Sequence, residues 1–595
     1  MSATENDFFK SRVLGHPSGL FVLFFTEMWE RFSYYGMRAL LVLFLTSSLI
    51  GDNPGWGWPR EHAMTLYGSY TAMAYLTPIL GGYIADRFIG YRWATIWGAL
   101  LMTLGHASMA IETDKSFLYL GLVLLVLGIG LFKPNMTSIL SEMYKKYPEK
   151  KDGAYTIFYM GVNSGAFLGM ILCGYLGESV GWSYGFGLAG IFMLVGLLQF
   201  YFTQGIFGSI GLKPKNQAVL ETVAESPEAI VVEAGSDIDR VKKNPFSKFE
   251  VLITIFISIV SLVWVVNDPV SKITSSNVFN FTVGAMDGSN FAILVTLALF
   301  VFLLIKRITQ YEPLLRDRMI VIVILAFITI FFWASFEQAG GSMTIFAKDY
   351  TDRVLEGSGK TMFNIANTLI TVVPMLIISY VLIKLFGQTF KKYALGNIIL
   401  TVGFILIWVL VIMMLASQYK DDKPEVPASW FGSLNALFII SLGPLVSKLW
   451  ESRFNPPATI KNGIGMILLG IGFAALAFGA SGIPPGAKVA SVSMMWLVLA
   501  YLFHTLGELF ISPVGLSYVS KLVPGRMIGI MFGIWYLAIA IGNKLAGSMG
   551  GKIDEITAKY SMQDFFLIFT LIPIGLGVLV MLLTPMVKRL MHGVR

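Results

Sequence analysis

The sequence predicts an all-α polytopic membrane protein with about sixteen spanning helices, and three observations carry that reading. Hydrophobic residues fill 55% of the 595 positions while Asp, Glu, Lys and Arg fill only 13%, about half the charged share of a soluble domain. The mean hydropathy is +0.70. Apolar runs long enough to cross a bilayer recur along the chain, without the alternation of a membrane barrel.

The first span, expected at about 18–50, is the most informative. Leu20–Phe25 and Leu40–Leu45 are continuous apolar runs, and between them lie Glu27, Glu30, Arg31 and Arg38. A charge at a helix centre costs roughly 2.5–3.5 kcal/mol on insertion scales, so these charges need partners or a water-filled cavity. At about 100° per residue, Glu27, Arg31, Tyr34 and Arg38 fall within a narrow arc, with Glu30 and Tyr35 on its shoulders. Glu27 precedes Arg31 by one helical turn, the favourable order for an ion pair. An apolar rod with a polar stripe is how a solute pathway is built.

Five further spans are expected at about 61–85, 93–112, 117–144, 153–177 and 184–206, each an apolar run bounded by polar or glycine-rich turns. From about 207 to 247 the chain turns polar, with Glu221, Glu225, Glu228, Glu233, Asp237 and Asp239 and few aromatics. That composition predicts a disordered linker between two membrane halves. Two spans at about 249–267 and 290–307 follow. The last eight are expected at about 318–347, 361–386, 391–416, 429–451, 462–482, 490–521, 526–549 and 564–588.

Basic residues choose the orientation. Arg87, Arg92, Lys145, Lys146, Lys150, Lys151, Lys306, Arg307, Arg316, Arg318, Lys384, Lys391, Lys392, Lys588, Arg589 and Arg595 fall on one side. The other side carries Arg60, Lys115 and Lys272, with Lys348, Arg353, Lys360, Lys420 and Lys423 diluting the contrast. Both termini are therefore expected in the cytoplasm, in a multi-pass cytoplasmic (inner) membrane protein. The same bias accounts for the net charge of +8 without nucleic acid. The segment before the first span lacks a leader pattern. The single cysteine, Cys173, excludes an internal disulfide and thiolate clusters. The histidines His16, His62, His106, His504 and His592 show no paired metal spacing, so neither metal nor organic cofactor is expected. The phosphate-loop pattern is also missing, which leaves an ion gradient rather than ATP as the energy source.

The turn between the second and third spans reads Gly81-Gly82-Tyr83-Ile84-Ala85-Asp86-Arg87-Phe88-Ile89-Gly90. Its glycines allow close helix approach, and Asp86 and Arg87 are placed to cap and clamp helix ends. It resembles the loop signature of the major facilitator superfamily. Glu27-x-x-Glu30-Arg31-Phe32-x-Tyr34-Tyr35-Gly36 narrows the match, because it resembles the first-helix signature of the proton-dependent oligopeptide transporter (POT/PTR) family. Lys133-Pro134-Asn135, Phe158-Tyr159-x-x-Val162-Asn163-x-Gly165 and Phe332-Trp333-x-x-Phe336-Glu337-Gln338 agree with it. So do Asn435 ahead of Pro444, and Glu508-x-x-x-Ser512-Pro513-x-Gly515-Leu516.

The resemblance implies two six-helix bundles around a central site that opens alternately to each side. On that reading 1–206 is the N-terminal bundle, 207–248 a cytoplasmic linker and 249–316 an inserted helix pair. Residues 317–595 form the C-terminal bundle, interrupted by a second inserted pair at about 361–416. The second pair departs from the family pattern, and the sequence leaves its role open.

The resemblance also assigns roles. Lys133 would contact a peptide's carboxylate and act with Glu27, Glu30 and Arg31 in proton coupling. Glu508 would receive the amino terminus from the other bundle. Arg38 and Glu337 would pair as a gate and Glu337 could also carry a proton, since Phe336 stands where some members have a second acid. Lys133 and Glu508 would gate as well. Tyr34, Tyr35, Arg38, Tyr75, Asn163, Trp333, Asn435, Ser512 and Trp535 would complete the peptide site. The expected activity is proton-coupled symport of di- and tripeptides, not enzymatic turnover, with the lipid bilayer as the other partner and neither ATP nor nucleic acid involved. Two other readings stand beside it: a carrier of the same fold for nitrate or another small anion, and a membrane receptor or enzyme. Lys133 and Glu508 together argue against the first, and the lack of a nucleophile–base set or metal cluster argues against the second.

Overall fold

Burying apolar faces in lipid leaves every backbone group to be satisfied within its own segment, and the chain answers with helices. The structure is a computed structural model that describes residues 11–213, 244–452 and 455–594. The first half holds α1 (Ser18–Thr46), α2 (Arg60–Ile84), α3 (Tyr91–Met109), α4 (Lys115–Met143), α5 (Lys151–Ser179) and α6 (Trp182–Thr203). An inserted pair follows, α7 (Lys248–Thr274) and α8 (Gly288–Thr309). Then come α9 (Pro313–Phe336), the short α10 (Ser342–Asp349) and a second inserted pair, α11 (Gly357–Thr389) and α12 (Ala394–Lys420). The second half continues with α13 (Ser433–Glu451), α14 (Ala458–Gly479), α15 (Met495–Leu522) and α16 (Ile528–Gly551). It ends with the short α17 (Ile553–Lys559), α18 (Met562–Leu582) and the short α19 (Thr584–Leu590). Among the described residues, strands occur only as two-residue pairs in loops: Arg12–Val13 with His16–Pro17 and Thr282–Val283 with Met286–Asp287, both antiparallel, and Thr351–Asp352 parallel to Val492–Ser493.

Among the described residues, thirteen helical segments are long and apolar enough to cross a membrane, against about sixteen expected. The other three are α1, α2 and α3, whose 29, 25 and 19 residues give the length. What they lack is apolarity, because α1 carries the charged stripe and α2 and α3 are rich in hydroxyls and glycine. The expected span 318–347 is broken: α9 stops at Phe336, and a 3₁₀ turn over Glu337–Gly340 precedes α10. Gly340 and Gly341 weaken the helix there, and the Tyr67 hydroxyl fills the place a side chain on Gly340 would take. The expected span 564–588 also divides, since Pro585 restarts the chain as α19. Residues 214–243, most of the expected linker, lie outside the described residues.

The packing follows the two halves. In the first, α1 lies against α5 and α6, and α3 lies against α4; in the second, α14 lies against α18 and α15, and α9 against α16. This is the major facilitator arrangement, two six-helix bundles with two added pairs. Lipid tails are as apolar as leucine, so close packing rather than hydrophobic exclusion must hold the helices together. Small residues provide it where the two halves meet. Gly68 of α2 rests on Gly547 of α16, backbone to backbone, and a Cβ on Gly68 would stand only 2.7 Å from the Gly547 Cα.

Each inserted pair lies over one of the two seams between the bundles. Helix α7 packs on α2 beside the α2–α16 contact. Helix α12 packs on α6 and α5 on the side where α5 meets α13. Phe404 of α12 is seated between Phe25 and Trp29 of α1, with ring centroids 5.6 and 5.4 Å away and both contacts edge-on. The second pair is therefore fastened to the charged first helix from behind.

The loop signature behaves differently from its expected clamp. Ala85–Ile89 forms a π-helical turn, and Gly90 at φ 78° lets the chain reverse into α3. Asp86 and Arg87 are both exposed, and Arg87 lies over Tyr83 of its own helix at 5.0 Å. Asp86 shares a side-chain hydrogen bond with Tyr91 at the start of α3, and a second clamp comes from Arg92, whose Nε donates to the Ile210 carbonyl at 2.6 Å and whose Nη2 donates to that of Gly208. Gly81 does what was expected of it, meeting the backbone of Gly130 on α4.

Truncating Phe404 to alanine should cost roughly 3 kcal/mol, as for other buried aromatic rings. The measurement is the melting temperature in detergent, and an unchanged melting curve would mean the pair does not bear on the bundle.

Candidate functional site

A cavity of about 390 Å³ lies between the halves at mid-depth. From the first half, Glu27, Arg31, Tyr35, Arg38, Tyr75, Lys133 and Asn163 line it. From the second half come Trp333, Glu337, Asn435 and Glu508. Cations and acids drawn from helices far apart in sequence thus share one chamber.

On α1, Arg31 is the hub. Its Nε lies 2.9 Å from Glu27 Oε1 and 2.8 Å from Glu30 Oε2. One N–H can align with only one acceptor, and it aligns with Glu27. Glu30 is completely buried behind the arginine, and neither of its oxygens receives a hydrogen bond from the described residues. Lys133 makes no ion pair with either acid. Its ammonium sits over the Tyr75 ring, 4.2 Å from the centroid, a geometry that attracts a cation to the face of the ring. The Glu27–Arg31 pair expected from the four-residue spacing is present, and Lys133 stands apart from it on the aromatic ring. Pro134 removes a backbone donor just after Lys133, and the Asn135 amide donates to the Leu131 carbonyl at 2.6 Å.

The second half supplies the opposite sign. Asn435 Nδ2 donates to Glu508 Oε2 at 2.9 Å and to Thr505 Oγ1 at 3.1 Å, which fixes how the carboxylate points. Tyr75 and Trp333 face each other across the halves at 6.0 Å. Asn163 donates to the Tyr159 carbonyl one turn back at 2.9 Å, leaving its carbonyl oxygen for other partners.

The cavity is roofed by a bond between the halves. Arg38 Nη2 meets Glu337 Oε2 at 2.7 Å, and Arg38 Nε donates to the Tyr67 hydroxyl at 2.7 Å. Tyr67 in turn donates to Glu337 Oε2 at 3.1 Å. Beyond this triad more ties join the halves. Arg60 Nη2 contacts Asp349 at 2.6 Å and its Nη1 contacts Asp554 at 2.8 Å. Glu178 accepts from the backbone N–H groups of Ala428 and Ser429, both at 2.9 Å, and Lys348 donates to Ser47 at 2.6 Å. This is the sealed end. Toward the opposite end, the lining residues Thr137 and Tyr159 are exposed, so the chamber opens there.

Besides Glu30, three expected site residues lie elsewhere. Tyr34 is buried against Tyr35 and Tyr70 and does not line the chamber. The cavity faces the α1 stripe off-centre, toward the Tyr35 shoulder, and helical geometry then turns Tyr34 and Glu30 inward to the bundle. Ser512 is exposed but outside the chamber wall. Trp535 is buried in the second half, its ring filling the space beside Gly515. Sequence reasoning also missed Tyr67 and Tyr501. The Tyr501 hydroxyl donates to the Ala339 carbonyl at 3.1 Å in the turn that presents Glu337. Tyrosines one face apart on α2, at 67 and 75, were the available signal for the first.

The profile of the POT family matches residues 92–424 and 406–567, most of the chain. The chain belongs to the POT family. This is a family of transporters, not of enzymes. The peptide transporter YePEPT of Yersinia enterocolitica is 30% identical over 97% of this chain and 96% of its own length. A di-/tripeptide transporter of Lactococcus lactis is 27% identical over 100% of this chain and 99% of its own. Among solved structures, a peptide transporter POT in complex with sulfate superposes with a TM-score of 0.67 at 26% identity, each chain covered in full. POT-family membership and the thirteen apolar helices make this a multi-pass membrane protein.

Arg38→Ala and Glu337→Ala should each destabilise the protein, by about 3–5 kcal/mol, because each leaves the other charge buried and unpaired. The double variant should cost clearly less than the sum of the two. Additive losses of thermal stability in detergent would show that the pair is not one unit.

Proposed function

We propose that this protein is a proton-coupled symporter that imports di- and tripeptides across the cytoplasmic membrane by alternating access. The observation that carries the proposal is the meeting of Lys133 from one half and Glu508 from the other in a single chamber. A short peptide is a zwitterion, so its carboxylate is drawn to the Lys133 and Arg31 side and its ammonium to Glu508. A carrier for small anions has no use for Glu508 there. Holding both ends draws the halves together, which selects for a ligand of two or three residues. Asn163 and Asn435 would serve the peptide backbone, and the Trp333 and Tyr75 rings would wall the side-chain pockets.

The proton enters through the α1 cluster. While Arg31 is shared by Glu27 and Glu30, a peptide carboxylate must compete with them for the arginine. Once the carboxylate takes it, an acid left without a counter-charge in a low-dielectric site must bind a proton or pay desolvation. Peptide and proton therefore favour each other's binding. Each proton moving down the gradient supplies about 2.3 kcal/mol per 100 mV.

The basic loops orient the molecule. Arg87, Arg92, Lys150 and Lys151 lie at the open end, and under the positive-inside rule this supports a cytoplasmic side for that end and for both termini. The chamber thus faces inward, with the Arg38–Glu337 triad closing the outer side. The segments 1–206 and 317–595, taken as the two rocking bodies, meet along the α2–α16 and α5–α13 seams.

The test is uptake of labelled dialanine into proteoliposomes with and without an inward acid gradient. Glu30→Gln should abolish gradient-driven accumulation while sparing peptide counterflow, and equal loss of both would remove Glu30 from coupling. Lys133→Ala should eliminate accumulation, whereas unaltered uptake would take Lys133 out of the site.

A further inference from the structure

We propose that the inserted helix α7 is a strap across the α2–α16 seam, latched at the sealed end by an ion pair between Asp268 and Lys544, and that this latch holds the sealed conformation. The chamber uses neither residue. Lys544 sits in α16 one turn before Gly547, the residue that touches Gly68 of α2. Its side chain is 7% exposed and that of Asp268 is 15% exposed, so the pair is largely withdrawn from any solvent. An ammonium in that position is retained only with full compensation.

Three side chains from two helices supply that compensation. Lys544 Nζ pairs with Asp268 of α7 and donates to Ser69 Oγ of α2 at 2.8 Å. The ring of Trp264 on α7 lies 5.4 Å from the same ammonium. Ser69 passes its own proton to the Val265 carbonyl of α7 at 2.8 Å. One turn further out, Lys272 of α7 donates to Thr65 at 3.3 Å and pairs with Glu61, both on α2, at 3.3 Å. Helix α7 is therefore tied by charge to the second half and by hydrogen bonds and the Lys272–Glu61 pair to the first, across a seam where the two backbones touch. Separating α2 from α16 at this end breaks one set of ties or the other.

The other end of the strap is built the opposite way. A cavity of about 490 Å³, lined by Phe246, Phe300, Leu303, Met319, Met527 and Met531, keeps the inserted pair apart from α9 and α16 there. The pair holds itself together at that end through Arg307 and Glu250, 3.4 Å apart. Helix α16 is thus fastened to the strap where the seam is sealed and free of it where the chamber is open. Such an arrangement resists separation at one end without hindering closure at the other.

The latch rests on the reading that the seam opens in turn, so the test includes a variant that reports on that reading alone. Spin labels at Ile50→Cys and Val489→Cys, exposed loop positions at the sealed end on opposite halves, give the separation in the full-length protein. Replacing the pair together, Asp268→Leu with Lys544→Met, removes both charges without stranding one. The double variant should raise the separated population about tenfold, the scale expected when a tie favouring one of two states is lost. Asp268→Asn alone strands the ammonium and should reduce the yield of folded protein. Arg60→Ala, which cuts the ion pairs beside the seam, is the control. A separated population with Arg60→Ala but none with the double variant would overturn the latch while leaving alternate opening intact. None with either would remove both.

Discussion

The constraint on which the rest depends is that a charge withdrawn from water must meet its opposite, and here the opposites come from different bodies. Arg38 and Glu337 are separated by 299 residues and joined at 2.7 Å. In a medium of low dielectric, each is expensive alone and tolerable only with the other. The bond therefore reports whether the halves are together. The same logic runs through Arg60 with Asp349 and Asp554, while Glu178 at the end of α5 is met by backbone N–H groups of the turn that leads into α13. A seam made of leucine would be indifferent to its state, because lipid solvates leucine as well as protein does. A seam made of glycine contacts and paired charges has two defined states.

Inside the chamber the rule is broken on purpose. Lys133 has an aromatic face where an anion would serve better, Glu508 has one amide donor, and behind the wall Glu30 shares Arg31 with Glu27 and receives no hydrogen bond. Groups left short of partners in a protein interior are poised to accept a ligand that completes them. A zwitterion and a proton complete this set. The sealed end is satisfied internally and the chamber is not, which is why binding can change the balance between the two.

Much of this was legible because charge in an apolar span is so rarely neutral in meaning. Glu27, Arg31, Arg38, Lys133, Glu337 and Glu508 all announced themselves against leucine and phenylalanine, and all six line the chamber. What could not be read was rotation. Tyr34 and Tyr35 differ by one step on α1, and only the neighbours of that helix decide which of them faces the chamber. Ser512 and Trp535 failed for a related reason: their spans are right but their faces look elsewhere. The seat of Lys133 over the Tyr75 ring was not legible, because sequence gives proximity along one helix, as for Glu27 and Arg31, but not the reach of a side chain between two. At the loop signature Asp86 reaches Tyr91 while Arg92 rather than Arg87 makes the other clamp, because a π-turn intervenes, which no periodicity announces. Lys544 carries the same signal as Lys133, a lysine in an apolar run, and its partner Asp268 lies in an insertion that the twelve-helix pattern does not contain.

The insertions then acquire a physical reading. A carrier that rocks must expose two seams to lipid, and at each opening those seams must part without letting the membrane in. One added pair lies over each seam. The second pair is held by rings, with Phe404 between Phe25 and Trp29, a contact that survives sliding because aromatic edges tolerate several arrangements. The first is held by charge at Lys544, a contact that is either made or lost. Two hairpins of similar length thus offer different mechanical properties, one a compliant cover and one a catch. The difference follows from a single buried lysine and the aspartate placed one helix away to receive it.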